Sequence, residues 1–246
     1  MAEEALEYVV GLHAVGALVR NGPGRIRVLY YTDDVRHLRR AKVIDDARSA
    51  GVPVASRTRA ELDDLVAGQK HQGVVAHAAP GVPESFSELI LRLNDNRDAF
   101  VLVLDGIQDP GNLGACLRTA AAAGIDAVVV PRAKATELTP AARRAASGAA
   151  ELVPVVSVPN LARAIRALQA AGLTVVGADG DAAESLPQAT LSKPLAVVVG
   201  AEGGGLRRLT RDVCDSLVSI PLPGALTTLN VSVAVGIVLY EVCRDG

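Results

Sequence analysis

A chain of 246 residues, half of them apolar, can bury a sizeable core as one large domain or two modest ones, which excludes a disordered segment. A net charge of −2 excludes a globally basic nucleic-acid binder, so any RNA contact has to come from local arginine patches. Apolar runs are broken by Arg, Asp or Gly before they approach the roughly 18 residues of a membrane span, and three widely separated cysteines with no histidine nearby argue against a zinc site or a disulfide framework.

The opening MAEEALEY is acidic and lacks the basic and apolar regions of a signal peptide, so a cytoplasmic location with no membrane partner is expected. Residues 1–80 alternate between helix and strand. HAVGALVRN has helical spacing, RIRVLYYT is strand-like, and VRHLRRAKVIDDARSAG is an amphipathic helix stopped by glycine. PVAS (strand), RAELDDLVAG (helix) and GVVAHAA (strand) complete a small α/β layer domain. Arg20, Arg25, Arg27, Arg36, Arg39 and Arg40 gather here, partly offset by Asp33, Asp34, Asp45 and Asp46; a solvated helix face and an RNA-facing patch both fit. All four histidines lie in this segment, and His71 reads as structural.

Pro80, Gly81 and Pro83 mark a linker, taken as residues 81–97, in which Ser85 and Glu88 are spaced as a capping box. Residues 98–246 alternate again. Strands are expected in AFVLVLDG, DAVVVP, LVPVV, TVVGAD and LAVVVG, with helices over DPGNLGACLRTAAAAG, TPAARRAASGAA and NLARAIRALQAAG, then a further apolar strand, a Pro/Gly loop and a last helix. Continuous Val/Leu/Ile strands indicate a parallel sheet covered on both faces. Ligands in such sheets sit beyond the carboxyl ends of the strands, which groups the loops after Leu104, Val199 and Ile220.

The glycine loop after Val199 holds a lone carboxylate, Glu202, and its spacing of Gly200, Gly203, Gly204 and Gly205 is not that of a dinucleotide fingerprint. A carboxylate there would repel a pyrophosphate, so a nucleotide-like ligand carrying positive charge, such as S-adenosylmethionine, fits better. A tight turn that needs glycine for its backbone fits the spacing equally well. Asn112 would cap the helix that follows the first strand of this half, with Arg118 a turn and a half further on; a capping Asn and a surface Arg account for both without function. No histidine and no spaced carboxylates occur in this half, which leaves Asn112, Arg118, Glu202, Thr227, Thr228, Asn230 and Ser232 near the three loops. Such an inventory suits binding, orientation and electrostatic help to a group activated on a cofactor, with no metal.

Together, Asn112-Leu-Gly-Ala-Cys-Leu-Arg118, Val199-Gly-Ala-Glu202-Gly-Gly-Gly and Ile220-Pro-Leu followed by Leu229-Asn230-Val-Ser232-Val resemble the three motifs of the SpoU (TrmH) family of RNA ribose 2′-O-methyltransferases. Gly11-Leu-His-Ala-Val and His71-Gln-Gly-Val-Val-Ala are similar to the substrate-binding domain that precedes the catalytic domain in bacterial large-subunit rRNA guanosine 2′-O-methyltransferases. The resemblance implies an N-terminal RNA-binding α/β domain like ribosomal protein L30e. It implies a SPOUT-type parallel-sheet catalytic domain tied in a deep trefoil knot, and a homodimer acting on large-subunit rRNA. Carried onto this chain, S-adenosylmethionine would be held by Gly200, Ile220 and Leu229. Asn112, Arg118, Glu202, Asn230 and Ser232 would be catalytic or substrate-orienting, with Glu202 fixing Arg118 or Asn112. Gly111 and Thr228 depart from the motifs, where a larger residue and a serine are usual, and bear on substrate detail. A tRNA ribose methyltransferase, a non-catalytic RNA-binding dimer and a dinucleotide-dependent oxidoreductase are the competing readings.

Overall fold

The computed structural model describes residues 6–33, 38–79, 84–133, 135–136, 138–225 and 227–244. They form two compact units, Met1–Val82 and Pro83–Gly246.

In the first unit β1 (Glu7–Val10), α1 (Leu12–Asn21), β2 (Ile26–Tyr31), α2 (Leu38–Ser49), β3 (Val54–Ser56), α3 (Arg59–Leu65) and β4 (Val74–Ala78) follow in order. The sheet runs β1-β4-β2-β3, with β4 antiparallel to both neighbours and β2 parallel to β3. Leu29, Val74 and Ala76 bury one face with Val15, Leu18 and Ile44, while Val75 packs with Leu62 and Val66 on the other. Strand β1 is absent from the sequence reading, because four residues beside an acidic run carry too little pattern. His71 is structural: Nδ1 accepts the Gly73 N–H at 3.0 Å, and Nε2, left to carry the proton, donates to Asp63 at 3.1 Å. The arginine patch is thinner than its sequence suggests. Arg40 is buried against the Thr32 hydroxyl at 2.7 Å, and Arg25 donates to the Ala79 carbonyl at 3.1 Å; Arg36 lies outside the described residues.

The second unit contains α4 (Phe86–Leu93), β5 (Phe100–Asp105), α5 (Pro110–Ala122), β6 (Ala127–Pro131), α6 (Pro140–Ala146), β7 (Val155–Val158) and α7 (Leu161–Ala170). There follow β8 (Thr174–Ala178), β9 (Glu184–Ser185), β10 (Leu195–Gly200), α8 (Arg208–Arg211), β11 (Ser216–Ser219) and α9 (Val231–Arg244). Among the described residues the sheet order is β7-β6-β5-β10-β8-β11-β9, parallel throughout. Every residue of β5 and β10 is buried, as continuous apolar strands covered on two faces require. Phe100, Leu102 and Leu104 pack with Leu113 and Leu117 of α5 and Val235 and Leu239 of α9. Val101 and Val103 turn to the other face and meet Leu89 and Leu93 of α4 and Ile165 and Leu168 of α7. The Ser85–Glu88 capping box starts α4. This helix, within the stretch read as linker, is part of the second unit's core, since Leu89 and Leu93 present an apolar face to α7 and β7.

The three cysteines are free and differ in exposure: Cys116 is buried, Cys214 half-buried and Cys243 exposed. Burial pushes the Cys116 and Cys214 thiols up to about 12, with nearby Asp215, Asp105 and Asp179 adding to the effect at Cys214. An unfolded chain ionises these thiols near 9 and the folded one keeps their protons. Their contribution to stability is therefore complete below pH 9 and is lost as pH rises from there toward 12. Two outcomes are expected. Iodoacetamide at pH 8 alkylates Cys243 while sparing the other two until denaturant is added, and urea midpoints fall between pH 9 and 11. Equal labelling of all three in the folded protein would contradict the burial.

Candidate active site

Because every strand of the second sheet runs the same way, the loops 106–109, 201–206 and 220–230 leave β5, β10 and β11 at one end. Strand β10 lies beside β5 in a register that pairs Leu195 with Phe100 and Gly200 with Asp105, so two of these loops begin at the same level.

Helix α5 starts differently from the sequence reading. Asp109, not Asn112, is its cap: the Asp109 Oδ1 accepts the Asn112 N–H at 2.7 Å, and Pro110 occupies the first turn, where a missing N–H costs nothing. This frees the Asn112 side chain, whose Nδ2 donates to Glu202 Oε2 at 3.4 Å and whose Oδ1 accepts from Asn230 Nδ2 at 3.0 Å. Asn230 Nδ2 also reaches Glu202 Oε2 at 3.5 Å. Ser232 orients that amide, because its hydroxyl and its backbone N–H both donate to Asn230 Oδ1, at 2.6 and 2.9 Å. Four side chains, Asn112 from the first turn of α5, Glu202 from the glycine loop, and Asn230 and Ser232 at the start of α9, are thus joined in one cluster.

The glycine loop is a tight turn that carries Glu202 to the two asparagines. Gly205 N–H donates to the Ala201 carbonyl at 3.0 Å, and Gly203 and Gly205 adopt φ of 75° and 60°. The returning chain lies directly on Gly200, where an added Cβ would overlap the backbone of Gly205 and Leu206. Glycine is therefore the residue that lets the loop fold back and aim Glu202 at the two asparagines. A neutral hydrogen bond at an exposed site contributes only about 1 kcal/mol net, and the two bonds that end on the Glu202 carboxylate are long, at 3.4 and 3.5 Å. The value of the cluster is geometric rather than stabilising.

Arg118 does not join it. Six residues beyond Asn112, it lies about 9 Å along α5 and well round the helix, exposed and without a hydrogen bond or ion pair to any described residue. Of the two partners expected for Glu202, Arg118 or Asn112, the carboxylate faces Asn112, and Asn230 beside it, and does not meet Arg118. Ile220 is half-buried against the α5–α9 core, and Leu229 is half-buried immediately before Asn230. Asp109 escaped the sequence reading, although Asp-Pro followed by helical spacing is a recognisable helix start. Among the described residues no group of three or more His, Cys, Asp or Glu could hold a metal ion.

Residues 99–240 match the SpoU rRNA Methylase family, and residues 8–81 match RNA 2′-O ribose methyltransferase substrate binding. The 23S rRNA (guanosine-2′-O-)-methyltransferase RlmB of Pseudomonas putida is 46% identical over 243 residues, which span 98% of this chain and 97% of that protein. The protein of the same name from Yersinia pestis is 44% identical over 239 residues, 97% of each. Among solved structures, the SpoU methyltransferase AviRb from Streptomyces viridochromogenes in complex with the cofactor AdoMet superimposes with a TM-score of 0.76 at 25% identity. That superposition covers 98% of this chain and 90% of the other.

If Asn230 Nδ2 tethers the glycine loop, Asn230→Asp removes the shared donor and sets a second carboxylate against Glu202. Amide exchange across residues 201–206 is expected to quicken while the melting temperature barely moves. Unchanged exchange would show that the loop holds its shape without Asn230.

Proposed function

The chain belongs to the SpoU rRNA methylase family, and on that premise we propose that it methylates the ribose 2′-hydroxyl of a guanosine in 23S rRNA, using S-adenosylmethionine. The observation that carries this reading is the match of both units, over nearly the whole chain, to relatives that bear that activity in their names. On the same reading, residues 1–80 bind RNA and residues 98–246 catalyse, in the cytoplasm. Among the described residues no helix is long and apolar enough to cross a membrane.

The residues present fit the cofactor. The loop folded back on the bare Gly200 backbone presents Glu202 beyond the strand ends, and Glu202, unpaired with any described cation, favours a ligand bearing sulfonium and ammonium charges over one bearing phosphates. Gly200, Ile220 and Leu229 would hold it. S-adenosylmethionine supplies the electrophilic methyl group that the ribose oxygen attacks. Asn112 and Asn230, locked to each other and to Glu202, would orient that hydroxyl, and Ser232 would keep the Asn230 amide facing inward. A guanidinium keeps its proton at neutral pH and is not a free base. Arg118, exposed and unengaged, would instead bind the phosphate beside the target ribose, helping it take the proton or stabilising the developing alkoxide.

The knot and the dimer belong to the same proposal. In support of the knot, β10 inserts between the earlier strands β5 and β8, and α9 returns after β11 to pack on α5 and β10. In support of the dimer, Val233, Ile237 and Tyr240 stand 48%, 37% and 69% exposed at positions that share one face of α9. A second copy of this chain would cover that stripe. Ile237→Glu is expected to give a monomer in sedimentation, and a dimer of unchanged affinity would place the interface elsewhere.

The deciding assay transfers labelled methyl from S-adenosylmethionine to unmodified 23S rRNA and, in parallel, to bulk tRNA, followed by alkaline hydrolysis. Label is expected in alkali-resistant rRNA dinucleotides with G on the 5′ side, and label in tRNA alone would overturn the substrate. Arg118→Ala should lower transfer by about a hundredfold or more with S-adenosylhomocysteine binding intact. Near-normal turnover would remove Arg118 from the mechanism.

A further inference from the structure

At the carboxyl end of β5, Asp105 is 1% exposed, a carboxylate enclosed by the sheet end at the strand position level with Gly200. One oxygen, Oδ2, accepts the backbone N–H of Arg207 at 3.0 Å and so fastens the chain where it leaves the glycine loop. The other, Oδ1, has no hydrogen bond among the described residues and stands 3.4 Å from Arg207 Nε, within ion-pair range but outside hydrogen-bond geometry. The guanidinium passes over Gly106, which has φ of 87° and where a Cβ would come 2.6 Å from Nη2. A side chain at that position would push the arginine off its seat.

A buried carboxylate without a counter-ion is costly, so Asp105 holds the Arg207 charge in place. Yet the Arg207 side chain is 43% exposed, and its guanidinium makes no hydrogen bond to any described residue. A fixed cation with its planar fork of donors unclaimed is arranged to receive an anionic oxygen from outside. It also links the loop that leads into α5, the helix of Asn112, with the loop that carries Glu202, since it rests on Gly106 and directly follows residues 201–206.

We propose that Arg207, seated by Asp105 over Gly106, is an anion-receiving position of this site in addition to Arg118, with Asp105 as its positioning residue. This rests on the methyltransferase reading, which offers two sources of the anion: an RNA phosphate near the target ribose, or the carboxylate of S-adenosylmethionine.

Full-length wild type, Arg207→Gln and Arg207→Lys would be compared in binding an unmodified 23S rRNA fragment at several KCl concentrations, and in binding S-adenosylhomocysteine by calorimetry. If the anion is a phosphate, Arg207→Gln weakens RNA binding about tenfold and lowers the log–log salt slope by about one, Arg207→Lys keeps that slope, and S-adenosylhomocysteine affinity holds. If it is the carboxylate, S-adenosylhomocysteine affinity falls about tenfold and RNA binding is unmoved. Unchanged affinity for both would overturn the proposal. Should Arg207→Gln lose stability because Asp105 is left uncompensated, Asp105→Asn/Arg207→Gln restores the melting temperature. Binding that stays weak in the double variant supports the subsite, and binding restored along with the melting temperature refutes it. Methyl transfer by the wild type, measured alongside, tests the reading of function separately from these binding constants.

Discussion

The second unit depends on one packing constraint: β10 lies in register beside β5, and its last residue, Gly200, has the returning backbone of Gly205 and Leu206 directly upon it. The apolar register fixes where the two strands end. The missing Cβ lets the loop turn back at that level instead of running past it. Glu202 comes within hydrogen-bond range of Asn112 and Asn230 because of both. The core on either face, Leu102 and Leu104 on one side and Val101 and Val103 on the other, acts on the site by holding this register.

The cluster is assembled from weak contacts whose directions are set elsewhere. Asp109 and Pro110 start α5 and release the Asn112 side chain; Ser232 in the first turn of α9 takes both lone pairs of the Asn230 carbonyl and turns its amino group toward Asn112 and Glu202. Glu202 therefore meets amide donors and no described cation. Its negative charge stays available to a positively charged ligand, which is the electrostatic argument for S-adenosylmethionine over a dinucleotide.

Much of this was legible in the sequence. Continuous apolar strands announced a parallel sheet covered on two faces, and the motif residues Asn112, Glu202, Asn230 and Ser232 do meet although 120 positions separate the first from the last. Their meeting is a consequence of topology, since spacing alone cannot tell that β10 inserts beside β5. What was misread has local causes. Asn112 looks like a cap because Asn favours that position, but Asp-Pro three residues earlier is the stronger start. Arg40 looks like part of a surface patch because arginines are usually solvated, yet Thr32 offers it a partner inside the first unit. Arg118 is exposed and meets no described residue through a hydrogen bond or ion pair, so its proposed role rests on the family resemblance and on that free position.

Calorimetric titration of S-adenosylhomocysteine into wild type and into Gly200→Ala tests the central claim most directly, with circular dichroism confirming that both are folded. Saturable binding to the wild type and its loss in Gly200→Ala are the results expected if the loop folded back on Gly200 forms the cofactor site. Equal affinity for both proteins would contradict it, because a cofactor held there could not tolerate the displacement that a Cβ at position 200 imposes.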